Sequence, residues 1–403
     1  MELRDLLDAD KVKNFTKQLK RKGHKGGLKK VADLAKKHFE LIPQLDALRA
    51  ERNLAAKNQD INRGKELSGQ LDQVEAEFSA NEKKLQKLWE AIPNLPADDV
   101  PDGGENDGKI LDTFGAPTEM LNPKDHLGLG VALDLIDIER GAKVSGSRFY
   151  YLKNQAVELE FALIRYVGSV LARKGFTFLM GPQLLGEKAM LAGGYLGKAK
   201  EEVYKTQDNL YLIGTSEQAM LAYHMDEIID VPKRYTAFST CFRREAGSYG
   251  KDVKGIIRVH QFDKIEMFVY CEADKSEQEF NLLVDAAEEI VRDLGIPYRK
   301  VLLAAGDMSM ASAKTIDIEC WMPSQNCYRE THSISNCTDW QARRGNIRYR
   351  MGDKTDYAHT LNGTALAIAR FLAVLLENHQ QPDGRIEIPS VLHQYLGFTE
   401  ITK

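Results

Sequence analysis

Residues 241–266 read CFRREAGSYGKDVKGIIRVHQFDKIE, two runs of strand character around a loop rich in glycine and lysine. In extended backbone, residues two apart share a face, so Arg243 and Glu245 point together, and so do Phe262, Lys264 and Glu266 on the following run. Paired as a hairpin, the runs gather an arginine, two carboxylates and an aromatic ring on one surface. Arg258 lies close behind, and GSYGKDVKG forms a flap over the end. Charges packed that closely are costly to desolvate unless something occupies the space between them. A ladder of ion pairs across a sheet has the same spacing and is the alternative reading.

Arg370 narrows the choice. It lies in NGTALAIARFLAVLLENH, read as a helix over 364–378 that is apolar nearly all round and therefore buried. A buried guanidinium needs an anion, either a carboxylate of the fold or the phosphate of a ligand. The rest of this half has helical patterns at 155–174 and 275–294 and strand patterns at 210–213, 235–244, 256–272 and 315–322. The strands come in neighbouring runs without regular βαβ alternation, so an α+β fold with an antiparallel sheet flanked by helices is expected. Neither G-x-x-x-x-G-K-[ST] nor G-x-G-x-x-G occurs, so a nucleotide would be bound in some other way.

Toward the N-terminus the pattern changes. Val31, Leu34, Leu41, Leu45, Leu48 and Ala55 recur at alternating three- and four-residue steps, with His38 and Arg52 in the remaining seam positions. Leu67, Leu71, Val74, Phe78, Leu85, Leu88 and Ile92 do the same, with Asn81 as the polar member. Both are heptad seams. The polar NQDINRGKE between them predicts an antiparallel helical hairpin, each arm of about 30 residues reaching ~45 Å, with Pro43 bending the first. Such seams also serve as dimerisation coiled coils. An arm that buries its own seam and follows the lysine-rich KVKNFTKQLKRKGHKGGLKK suits a phosphate-bearing partner. IPNLPADDVPDGGENDGK marks a linker, giving units at 1–100 and 126–403 around a connection at 101–125.

A chain of 403 residues, 28% charged and 43% hydrophobic, is neither disordered nor membrane-spanning in composition, and a net charge of −4 excludes a uniformly basic nucleic-acid coat. The five cysteines form no C-x-x-C pair, which argues for reduced thiols rather than disulfides or a zinc ribbon. No signal peptide is visible at the N-terminus, and the apolar run 365–376 falls short of the ~20 residues that span a bilayer. A cytoplasmic protein with no membrane partner is expected.

FRREAG followed by GIIRVHQFDKIE resembles motif 2 of the class II aminoacyl-tRNA synthetases, and LNGTALAIAR resembles their motif 3. Within that class, TSEQ at 215–218, ETHSISNCTDWQARR from Glu330, the N-terminal hairpin and IPNLPADDVP are similar to seryl-tRNA synthetase, in the family's order and over nearly the whole chain. The resemblance implies an antiparallel class II catalytic domain behind a tRNA-binding hairpin. The implied substrates are ATP, L-serine and tRNA(Ser), with tRNA(Sec) as a further acceptor and Mg2+ as cofactor. Arg243 would contact the α-phosphate and the serine carboxylate, Glu245 the adenine, and Phe262 would stack on that ring. Arg258 would support the phosphates and Arg370 the γ-phosphate, with Glu330 and Ser333 on the metal. Thr215, Glu217, Glu266, Asn362 and Thr364 would line the serine pocket together with Arg243. Motif 1 would be AVELEFALIRYVGSVLARKGF and the strand up to Pro182, forming the interface of a homodimer.

The chain departs from the family at His332 and Ile334, where serine or cysteine is frequent. In a regular strand His332 shares a face with Glu330, while Glu330 and Ser333 oppose each other, so joint metal ligation requires a bulge. Two other readings compete. A relative that loads an amino acid onto a carrier protein would lack the hairpin. An inactive RNA-binding paralogue would have no need of Arg243, Glu245, Glu330 and Arg370 together.

Overall fold

The computed structural model describes residues 1–117, 120–246 and 254–403, with side chains for all of these except 198 and 199. The flap expected at 247–255 therefore lies, up to residue 253, outside the described residues. The chain forms two compact units, Met1–Pro96 and Ala97–Lys403.

In the first unit α1 (Ala9–Arg21) starts at Asp8, whose side chain accepts from the Asp10 and Lys11 amides. Helices α2 (Lys29–Lys57) and α3 (Ile61–Glu90) form the hairpin. Leu41, Leu45, Leu67, Leu71 and Leu85 are buried along its seam. The polar seam residue is satisfied, since Asn81 Nδ2 donates to the Leu34 carbonyl at 3.0 Å. Arg49–Glu75 and Lys37–Glu77 pair across the two arms. The turn is shorter than NQDINRGKE suggests, because Asp60 caps α3 through the Arg63 amide and the helix begins at Ile61. Helix α2 runs through Pro43.

The second unit is built on an eight-stranded sheet. Its strands are β1 (Lys109–Phe114), β2 (Thr177–Leu179), β3 (Lys233–Phe242), β4 (Gln261–Cys271), β5 (Tyr298–Leu302), β6 (Lys314–Met322), β7 (Cys327–Asn336) and β8 (His359–Ala367). They lie in the order β1-β5-β6-β7-β8-β4-β3-β2. Every pairing is antiparallel except β2 with β3. The stretch 101–125, read as a linker, thus carries an edge strand of this sheet.

Along β4 the pleat sorts side chains by parity. Ile265, Met267, Val269 and Cys271 enter the main core with α5 (Gln155–Arg173), α7 (Ser276–Asp293) and α8 (Ile368–Asn378). Phe268 and Tyr270 pack on the other face, which also holds Phe262, Lys264 and Glu266. Two short helices complete the frame, α4 (His126–Ala132) and α6 (Glu217–Ala222). The helix expected over 364–378 divides, with residues 364–367 pairing as strand against β4 before α8 begins at Ile368. A buried central strand and a buried helix are both apolar on all sides, so hydrophobic periodicity does not separate them. Among the described residues no helix is long and apolar enough to cross a membrane.

Candidate active site

Strand β3 ends at Phe242, paired with Gln261 at the start of β4. Arg243, Glu245 and Arg258 therefore lie beyond the paired ends and not on regular strand faces as the alternation suggests. They converge by turn geometry. Glu245 has φ 51°, in the left-handed region, and its Oε2 accepts from Arg258 Nη1 at 2.8 Å. Arg243 Nε donates to the Gly214 carbonyl at 3.2 Å, and its guanidinium lies 5.3 Å from the Phe262 ring centre. Arg243, Glu245, Arg258, Phe262, Lys264, Glu330, Thr364 and Arg370 line one open cleft.

Arg370 stands at the rim, its side chain 23% exposed rather than buried. The anion it meets is a carboxylate of the fold: Nη1 donates to Glu330 Oε1 at 3.1 Å and to the Glu330 carbonyl at 2.9 Å. Desolvation works to raise the Glu330 pKa, but Arg370, then Arg243 and Arg258, outweigh it and hold the group below the ordinary carboxylate range.

The pairing of β6 with β7 shifts at this point. Glu319 opposes Glu330 and Ile318 opposes His332, so Thr331 is the extra residue of a bulge. With Thr331 removed from the alternation, Glu330 and Ser333 fall on the same face, and Asp317 lies directly across from Ser333. Asp317 is 7% exposed, and its Oδ1 has no hydrogen-bond partner. Burial, then Glu330, push its carboxyl well above the ordinary range. This hard, oxygen-only donor set, with an orphaned carboxylate oxygen beside it, fits a small divalent cation such as Mg2+.

Behind the cleft lies a buried cluster of polar groups. Thr215, Glu217, Glu266 and Asn362 are all buried. Glu217 Oε2 accepts from Tyr195 Oη at 2.6 Å. Glu217 Oε1 accepts from Gln341 Nε2 at 2.7 Å and Asn362 Nδ2 at 3.2 Å. Lys264 pairs with Glu266 and donates to Thr215 Oγ1 at 2.8 Å. Thr364, across the ladder from Glu266, joins this pocket to the cleft. Burial first, and the nearby Glu266 second, raise the Glu217 pKa. Lys264 supplies one positive charge for these two buried carboxylates, and the pair still favours a further cation beside Glu217.

Sequence reading assigned no role to Lys264, Tyr195, Gln341 or Asp317. The period-2 face signalled Lys264, and no local pattern marks Tyr195 in its glycine-rich loop. His332 is on the face opposite Glu330, fully buried, because the bulge reverses the expected parity. Its Nε2 donates to the carbonyl of Ala365, the extra residue of a second bulge in β8, and its Nδ1 meets Thr331 Oγ1 at 2.8 Å. Burial depresses its pKa to about 4. On the reverse face of β4, Asp263 meets Glu160 of α5. Burial, then Asp263, raise Glu160 to about 8.

An antiparallel sheet carrying a cleft of arginines after strand β3, with a third arginine entering from α8, defines the catalytic core of a class II aminoacyl-tRNA synthetase. The chain matches the tRNA synthetase class II core domain (G, H, P, S and T) over residues 200–379 and the seryl-tRNA synthetase N-terminal domain over residues 3–96. It is 45% identical over 380 residues to a serine–tRNA ligase of Mycolicibacterium smegmatis, covering 91% of this chain and 90% of that one. To a serine–tRNA ligase of Cutibacterium acnes it is 46% identical over 348 residues, covering 84% and 82%. Its structure is similar to that of Pyrococcus horikoshii seryl-tRNA synthetase complexed with ATP, with TM-score 0.92, 35% identity and coverage of 100% and 99%. The chain belongs to the seryl-tRNA synthetase family.

Proposed function

We propose that this chain is an ATP-dependent ligase that activates L-serine as seryl-adenylate and transfers the seryl group to the terminal adenosine of tRNA(Ser), with tRNA(Sec) as a further acceptor. The observation that carries this reading is the convergence of Arg243, Arg258, Arg370 and Phe262 on one open cleft that abuts a buried pair of carboxylates. Triphosphate suits the arginines, adenine suits the ring, and an α-ammonium suits Glu217 and Glu266.

In the first step a serine carboxylate oxygen attacks the α-phosphorus, the bond to the bridging oxygen breaks, and pyrophosphate leaves with the electron pair. The nucleophile is already ionised at neutral pH, so no general base is required. The protein supplies alignment and charge neutralisation. Arg243 contacts the α-phosphate and the serine carboxylate, Arg258 and Arg370 hold the outer phosphates, Phe262 stacks on adenine, and Glu245 borders it. Glu330 and Ser333 would hold Mg2+, which when bound would neutralise phosphate charge. In the second step a ribose hydroxyl attacks the acyl carbon, the bond to the phosphate oxygen breaks, the hydroxyl proton is released, and AMP departs.

Glu217, Glu266, Thr215, Asn362 and Thr364 bind serine. Alanine is penalised because it would leave their polar atoms unpaired, an effect of roughly 10⁴ when fully developed, and threonine is excluded by space. The hairpin of residues 28–92 binds tRNA. Phe161 and Phe178, exposed on α5 and β2, together with Met180 just beyond β2, fit the interface of a homodimer. The working compartment is the cytoplasm.

The test is amino-acid-dependent exchange of pyrophosphate into ATP over serine, threonine, alanine and glycine. A serine-only response is expected, and exchange with a different amino acid overturns the substrate assignment. Deleting residues 28–92 should spare this exchange and abolish tRNA charging; unimpaired charging would refute the role of the hairpin.

A further inference from the structure

The chain that re-enters the cleft toward Arg258 is held from behind by a buried His–Glu pair outside the pocket. His126, first residue of α4, is 3% exposed. Its backbone N–H and its Nδ1 both meet Glu377 Oε1, at 2.9 and 2.8 Å. Glu377 is fully buried near the end of α8, and its Oε2 accepts from the Ser324 amide at 3.1 Å. On the other side of the ring the Ile256 amide lies 3.3 Å from Nε2. An amide can only donate, so Nε2 presents its lone pair and the ring proton sits on Nδ1, facing the carboxylate. Gly255 lies close against the ring, with φ +81°, where a Cβ would stand 1.9 Å from Nε2. The preceding Lys254 pairs at 2.5 Å with Asp125, the cap of α4. Ile257 and Arg258, the next two residues, line the cleft.

We propose that His126, oriented by Glu377, is a positioning residue for Arg258. Its fixed lone pair anchors the Ile256 amide, and the absent side chain at Gly255 lets the backbone close on the ring. Together they set where the Arg258 guanidinium enters the cleft. The inference rests on the reading of that cleft as the ATP site. It predicts an effect on ATP that passes through Arg258, whereas a histidine that merely fills the core would act on stability alone.

The experiment is serine-dependent pyrophosphate exchange by the full chain, with ATP and serine varied separately. His126→Ala and Gly255→Ala should each raise KM for ATP about tenfold and leave KM for serine within about twofold, while His126→Gln, which keeps an acceptor toward Ile256, should recover most of the loss. Combined with Arg258→Ala, His126→Ala should add less than about twofold, because both act through the same contact. Full additivity in the double variant, or an equal rise in KM for serine, overturns the proposal. Gly255→Ala retains both His126 and Glu377 while its Cβ forces the backbone off the ring, so unaltered ATP dependence there also overturns it should His126→Ala fail to fold. If Arg258→Ala itself leaves KM for ATP unchanged, the assignment of Arg258 to ATP falls instead, and with it the basis of this inference.

Discussion

The cleft and the pocket behind it solve the problem of buried charge in opposite ways. In the cleft, Arg258 and Arg370 pair with Glu245 and Glu330, the first pair part-buried and the second more exposed, so a ligand phosphate can take over either guanidinium without a large loss of existing bonds. In the pocket, Tyr195, Gln341 and Asn362 all donate to the fully enclosed Glu217, and nothing can rearrange cheaply. A site for a large, highly charged substrate can trade partners. Under the proposed assignment, the cluster that would distinguish a hydroxymethyl group from a methyl group is held rigid in advance.

That contrast predicts a graded series. Arg243→Ala removes the one guanidinium assigned to the reacting phosphate and should lower serine-dependent exchange by about 10³ or more, measured as kcat/KM. Glu217→Gln keeps the shape of the pocket but removes its charge. It should cost about 10² in kcat/KM for serine, about 2.7 kcal/mol, while KM for ATP holds steady; a parallel rise in both constants would mean that the two regions are not separate. Tyr195→Phe deletes one neutral donor and should raise KM for serine about fivefold, near 1 kcal/mol.

The smallest effect lies beneath Phe262, on the reverse face of the same strand. Glu160 titrates near pH 8 in the folded chain, well above its ordinary value, through burial and then Asp263. Between those two pH values the folded state holds a proton that the unfolded state has released. The stabilisation is therefore complete at low pH and lost as pH rises through about 8. Thermal melts from pH 5 to 9 should show Glu160→Gln flattening this decline by a few degrees at most, and an unchanged pH slope would rule out a proton retained on Glu160.

What could be read in advance follows the same division. The hairpin was legible because its seam repeats over many turns, and the cleft because Arg243, Phe262 and Arg370 sit in long motifs. The alternation that grouped Arg243 with Glu245 was right about proximity but wrong in mechanism, since the left-handed turn at Glu245 and not a strand face brings them together. The bulge at Thr331 leaves no trace in composition, so the side taken by His332 could not be read from a regular strand. Tyr195 and Gln341 reach Glu217 only through tertiary folding, from a loop and a helix far from it in sequence. The switch from strand to helix at Ala367–Ile368 was hidden by uniform burial.

The most direct test is a crystal structure with a non-hydrolysable sulfamoyl analogue of seryl-adenylate. The ammonium is expected between Glu217 and Glu266, the sulfamoyl group at Arg243 and the adenine on Phe262. An analogue seated elsewhere, with Arg243 still turned to the Gly214 carbonyl and no ammonium at Glu217, would contradict this.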